Sequence, residues 1–202
     1  MYSQTLTRFI KQYKVNWIIK ILIVSDFLIW SANQLFAPIF AIYITDNIAN
    51  GTIEAVGFAT AIYLIAKSIF QIPVGMYIDR TKSEKDDLYL AVFGTLLTGF
   101  VFLSYAFIGE LWHLYILQAV LGISAAIGFP GWYSIFTKHI DKKRVAFEWS
   151  LYDVVLGLGM AGAAGSGGVL VATFGFSVVF VIAAISAVIG AFLLLLLQNR
   201  IK

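Results

Sequence analysis

Apolar runs long enough to cross a lipid bilayer recur six times along 202 residues, at roughly 17–45, 54–78, 88–108, 112–137, 148–172 and 176–198, with only short polar breaks between them. A helix needs about 20 such residues to span the hydrocarbon, whereas a transmembrane strand shows about 10 residues of alternating polarity. The runs here do not alternate, and a backbone that crosses lipid as a single segment must satisfy its own hydrogen bonds, so each run is a helix. With 60% hydrophobic and 12% charged residues, the chain could not shield its apolar surface as a water-soluble globule. The predicted fold is an all-α membrane protein, a single six-helix transmembrane bundle over 1–202.

The connections differ in charge. Lys and Arg outside the apolar runs fall in the N-terminal arm, at about 79–87, at about 138–147 and in the C-terminal tail, and the intervening connections carry none. The positive-inside rule then predicts a multi-pass integral membrane protein with both termini and those two loops cytoplasmic. The net charge of +3 is explained by this topology and does not point to nucleic acid. Arg8, Lys11, Lys14 and Lys20 before an apolar run imitate a signal peptide, but the run is too long, contains Asp26 and lacks a small-residue cleavage site, so it reads as a retained first helix. The absence of cysteine rules out thiol chemistry and disulfides. His113 near a span end and His139 in a loop are not placed as metal ligands, and no cofactor or metal is expected.

Several spans carry a polar stripe that must face protein or water. The first has Asp26, Trp30, Asn33, Gln34 and Ala37 at helical spacing; the second has Thr60, Tyr63, Lys67 and Gln71; the fourth has Gln118, Gly122, Ala125, Phe129 and Tyr133. The fifth begins Trp149, Ser150, Tyr152, Asp153 and continues through Gly157, Gly159, Gly162, Gly165, Gly167 and Gly168, small residues that let helix backbones approach closely. The third and sixth spans have no ionisable side chain in their interiors and read as lipid-facing and peripheral. At a constant offset of 92 residues Pro38 maps onto Pro130, Gly75 onto Gly167 and Asp26 onto Gln118. The halves at about 17–108 and 112–198 then form an inverted three-plus-three repeat, as in many secondary transporters.

Each charge inside a bilayer costs about 2.5–3.5 kcal/mol at a helix centre on insertion scales, so Asp26 and Lys67 require an explanation. Both lie at similar depth, about 9 and 11 residues from the cytoplasmic ends of neighbouring antiparallel helices. Two readings stay open: a direct or water-bridged ion pair fixing helix register, or a site at which Asp26 exchanges a proton or substrate cation and Lys67 tunes it or meets an anionic group. Asp153 is nearer the interface. Trp17, Trp112, Trp132 and Trp149 fall near span ends, where such rings anchor at headgroups, whereas Trp30 is deeper and is expected to line a cavity.

Gly75-Met76-Tyr77-Ile78-Asp79-Arg80 resembles the loop signature G-x-L-x-D-R-x-G-R-K of the major facilitator superfamily. Gly75, Asp79 and Arg80 match, while Lys82, Ser83 and Glu84 replace a Gly and two basic residues. The family's fourth-helix R-x-x-x-G appears as Gln118 to Gly122 without its Arg. Its fifth-helix G-x-x-x-G-P-x-x-G-G appears as Gly159, Ala163, Ala164, Gly167 and Gly168 without its Pro, and Gly175-Phe176 is similar to its turn into the sixth helix. The missing Arg removes the basis for a proton relay at Gln118, and the missing Pro weakens an antiporter assignment. The resemblance covers the whole chain but only one six-helix half of a twelve-helix fold. It implies alternating access around a central site, with helices one, two, four and five facing inward.

A half transporter needs a partner, and the expected assembly is a parallel homodimer or a pairing with a second six-helix half. Asp79 would meet the N-terminus of the partner's fifth helix, with Gly75 and Arg80 completing a latch. The expected function is a secondary active transporter of a small organic solute, with proton coupling through Asp26. Two other classes were weighed. Gly165-Ser166-Gly167 is similar to a rhomboid-type serine protease motif, but no His follows His139 to serve as base; an assembly subunit without transport is the other. No Walker sequence is present, so ATP drive within the chain is not expected.

Overall fold

The computed structural model describes residues 14–81 and 83–201. Arg8, Lys11 and Lys82 of the basic arm and loop lie outside the described residues. Among the described residues seven α-helices make six spans: α1 (Trp17–Gln34), α2 (Phe40–Asn47), α3 (Ile53–Arg80), α4 (Glu84–Ser104), α5 (Leu111–His139), α6 (Val145–Phe174) and α7 (Phe176–Leu195). The first span is α1 and α2 joined through a 3₁₀ turn, Ala37–Ile39, at Pro38, which has no N–H to continue the ladder. Pro73 and Pro130 are carried inside α3 and α5 without ending them.

Local chemistry sets the ends. Asn16, Thr52 and Ser83 accept from the backbone N–H groups of Ile18, Ala55 and Lys85 and cap α1, α3 and α4. Gly175 turns α6 into α7 at φ +79°, a conformation that favours glycine. The connection between α3 and α4 is shorter than its charge suggests. Asp79 and Arg80 belong to the last turn of α3, and Glu84, Asp86 and Asp87 form the first turn of α4, where acidic groups complement the helix dipole.

The helices pack in the order α3, α5, α4, α7, α1, α6, each against the next. This sequence of pairings is unchanged when α1 is exchanged with α5, α3 with α6 and α4 with α7, the correspondence expected of an inverted three-plus-three repeat. Individual contacts follow it closely. Gly122 of α5 rests on the backbone of Tyr63 and Lys67, and Gly159 of α6 rests on Phe27 and Ser31 of α1; Gly159 lies 92 residues after Lys67, and Gly122 lies 91 after Ser31.

Two apolar cores result, one at each membrane side. Near the basic loops Ile19, Leu22, Leu88, Ile135, Phe136 and Leu194 interlock; at the other side Phe36, Tyr43, Phe102, Tyr105 and Phe180 form an aromatic cluster. The Tyr43 hydroxyl donates to the Tyr105 carbonyl and the Ala49 N–H to the Gly109 carbonyl, tying the two connections on that side. The third and sixth spans, expected to be peripheral, are the most enclosed, 39% and 44% buried along their apolar windows, against 11% for the second and fifth. Their outer faces still carry exposed Phe93, Phe100, Ile185 and Phe192. They are buried because they pack on each other at the middle of the arc, while α3 and α6 end it.

Candidate functional site

Between the two cores the bundle leaves a cavity of about 410 Å³. Its position follows from close approaches that small residues permit. The Ser25 hydroxyl donates to the Gly190 carbonyl at 3.0 Å, pinning α1 to α7. Gly159 lets α6 close on Phe27 and Ser31, which carries Tyr152, two turns earlier on α6, to Asp26. The Tyr152 hydroxyl donates to Asp26 Oδ2 at 2.9 Å, and Trp30, on the next turn of α1, lines the cavity beside the same carboxylate. On the other wall Gly122 seats α5 against α3 and places Tyr63 at the cavity, and Gly94 and Gly128 bring α4 and α5 into backbone contact.

Of the sequence-predicted residues, Asp26, Trp30, Asn33, Tyr63 and Gln118 are brought together around this cavity. Asp26 is 7% exposed, and among the described residues no Lys, Arg or His lines the cavity with it. Gln34 turns aside and lies 4.0 Å from Met160 Sδ. Asp153 is exposed on α6 away from the cavity. Of the two forms of ion pair between Asp26 and Lys67, the direct one is not made: the carboxylate takes the neutral Tyr152 hydroxyl, and the Lys67 ammonium lies 5.7 Å from the centre of the Phe129 ring. Similar depth on two helices did not place their side chains on facing surfaces.

A second cavity of about 550 Å³ opens toward the basic loops between α3 and α5. Gln71, Gly75 and Asp79 line it with Tyr133, Ser134 and Lys138, and Arg80 is exposed beside it. Phe129 belongs to the walls of both cavities. The glycines named for packing divide. A Cβ on Gly159 or Gly167 would overlap α1, whereas Gly157 and Gly168 face open space, as do Gly162 and Gly165.

Of helices one, two, four and five, expected to face a central site between two six-helix bundles, the first, second and fourth line this cavity within the single half. The lining comes from the first four spans, and α4 supplies Thr95, Thr98 and Phe102 while α6 reaches the site only through Tyr152. Thr98 bonds Ser124 at 2.9 Å across the α4–α5 seam. A search restricted to ionisable groups passes over such hydroxyls; Thr95 and Thr98 beside Gly94 on one face were the available signal. Also missed was Asp87, fully buried, which receives the Ser134 hydroxyl at 2.7 Å and the Lys138 ammonium at 2.9 Å on Oδ2. The loop reading of 79–87 hid it.

Comparison with known proteins agrees with this architecture. The family model of the Major Facilitator Superfamily matches residues 22–202. Two relatives, each named an uncharacterized MFS-type transporter and found in two strains of Mycobacterium tuberculosis, are 29% identical over 136 residues, covering 67% of this chain and 32% of each relative. The matched stretch is thus about a third of the length of those relatives. Six spanning helices, the inverted pairing and the family match together show that the chain belongs to the Major Facilitator Superfamily.

Proposed function

We propose that this chain is one six-helix half of a secondary transporter that moves a small organic solute by alternating access, with Asp26 as the proton-coupling carboxylate. The observation that carries the reading is the central cavity, in which a carboxylate held by Tyr152 faces an aromatic chamber between the two cores. The ends of the helix arc, α3 and α6, present largely uncovered faces on either side of that chamber. A second six-helix unit closes it, either a second copy related by an axis along the membrane normal or the other half of a longer or split transporter.

In this assembly both termini and the basic loops face the cytoplasm. Asp79, at the mouth of the second cavity, caps the N-terminus of the partner's α6, with Gly75 allowing close approach and Arg80 securing the turn, so the contact favours one of two access states. Reconstituted protein is expected to drive solute flux from an imposed pH gradient, and Asp26→Asn to abolish that drive; gradient-driven flux unaltered by the substitution removes Asp26 from the coupling role. A second reading, a membrane assembly subunit without transport, is favoured by the open glycine face of Gly162, Gly165 and Gly168. Tight association with another six-helix chain, with no flux by either alone or together, decides for it.

A further inference from the structure

The central cavity carries one formal charge. Its only acidic residue among the described lining is Asp26, the donor to that carboxylate is the neutral Tyr152 hydroxyl, and no cationic side chain among the described residues shares the wall. Lys67 is held off by Phe129, with its ammonium on that ring and outside the lining. The rest of the wall is largely aromatic, through Trp30, Phe36, Phe40, Tyr63, Phe129 and Trp132. Some of the polar groups between the rings are engaged, Thr98 with Ser124, Thr60 with the Val56 carbonyl and the Gln118 amide nitrogen with the Tyr105 hydroxyl, whereas Asn33, Thr95 and the Tyr63 hydroxyl face the cavity beside them.

Each class of small solute meets this surface differently. An anion would face an unopposed carboxylate at low local dielectric. A sugar or polyol could bond Asn33, Thr95 and Tyr63, but most of its hydroxyls would lie against rings and lose their hydration without replacement. A neutral apolar solute would fill the chamber but leave the carboxylate without a counter-charge. A cation with an aromatic or aliphatic body satisfies both features, placing its charge at Asp26 and its body against the rings, whose faces also attract cations.

We propose that the solute is a monovalent organic cation with an apolar body, bound with its charge at Asp26. This deepens the transporter reading and rests on it only in taking the cavity as the solute site. Trp30 and Trp132 line the cavity and report on occupancy. The purified full chain is titrated with tetraphenylphosphonium and, separately, with tetraphenylborate, which has the same shape and the opposite charge. Saturable quenching of tryptophan emission is expected with the phosphonium alone, weakened at least about tenfold by Asp26→Asn, the loss of one modest ionic contact, and retained by Asp26→Glu. The control Asp46→Asn, on the opposite side of the aromatic cluster, leaves it unchanged. Equal saturable binding of the borate, a comparison that needs no variant, overturns the proposal, as does phosphonium affinity indifferent to Asp26→Asn. Phosphonium binding without flux of any cation in vesicles keeps the cation site and removes the transport reading; flux of another solute without phosphonium binding removes the cation assignment alone.

Discussion

At the scale of single residues the protein separates two buried carboxylates by their partners. Asp26 is bonded by the neutral Tyr152 hydroxyl and faces a cavity, whereas Asp87 is sealed against Ser134 and Lys138 with its Oδ1 buried and unpartnered. Asp87 is therefore a structural anchor between α4 and α5. Removing its cation leaves a buried charge with one hydroxyl, so Lys138→Met is expected to destabilise by about 2–3 kcal/mol, toward the low end for a buried pair because Lys138 is 41% exposed. Asp87→Asn keeps the shape and removes the charge, and about 1 kcal/mol is expected. Thermal denaturation in one detergent at neutral pH compares them, and the reverse order would show that Lys138 does not compensate Asp87. Nothing in the sequence distinguished these two carboxylates by role. Asp26 stood out because it interrupts an apolar run, and Asp87 was hidden because three neighbouring charges made its stretch resemble a loop.

Among the helices, the contacts of α6 give a signed test. Gly167 is buried with its Cα against the Leu35 backbone, and its neighbour Gly168 faces open space. Gly168→Ala is expected to stabilise by about 0.5–1 kcal/mol through helix propensity alone. Gly167→Ala gains the same propensity but forces α1 and α6 apart, for a net loss of about 1–3 kcal/mol. Opposite shifts in melting temperature check the pair. The spans and their topological alternation were legible because hydropathy and loop charge act through residue type alone. The face of each glycine was not, since small residues recur so densely along α6 that several registers satisfy the same pattern. The enclosed position of α4 was equally illegible: it depends on which helix packs beside it, and lipid and a neighbouring helix select the same apolar residues.

Taken as a whole, the molecule is an arc whose two end helices carry largely uncovered faces, where the proposed second unit would sit. The chain has no cysteine, so single introduced thiols report on that contact without background. Ile65→Cys on α3 and Gly162→Cys on α6 both lie on exposed faces, and a mixture of the two variants in vesicles is expected to yield the mixed disulfide-linked dimer if a second copy closes the chamber. Its absence, with well-folded protein, assigns that place to a different chain. The feature with the widest reach is smaller. Phe129 is a wall of the central cavity and of the cavity toward the basic loops, with the Lys67 ammonium on its face. At this point the central cavity is divided from the cavity toward the basic loops by a shared phenyl ring. Phe129→Ala is expected to join the chambers and wet the central cavity from the side of the basic loops, read as stronger quenching of tryptophan emission by an aqueous quencher, while Phe129→Leu keeps the quenching unchanged. A single side chain in this place thus decides from which side water reaches the central cavity.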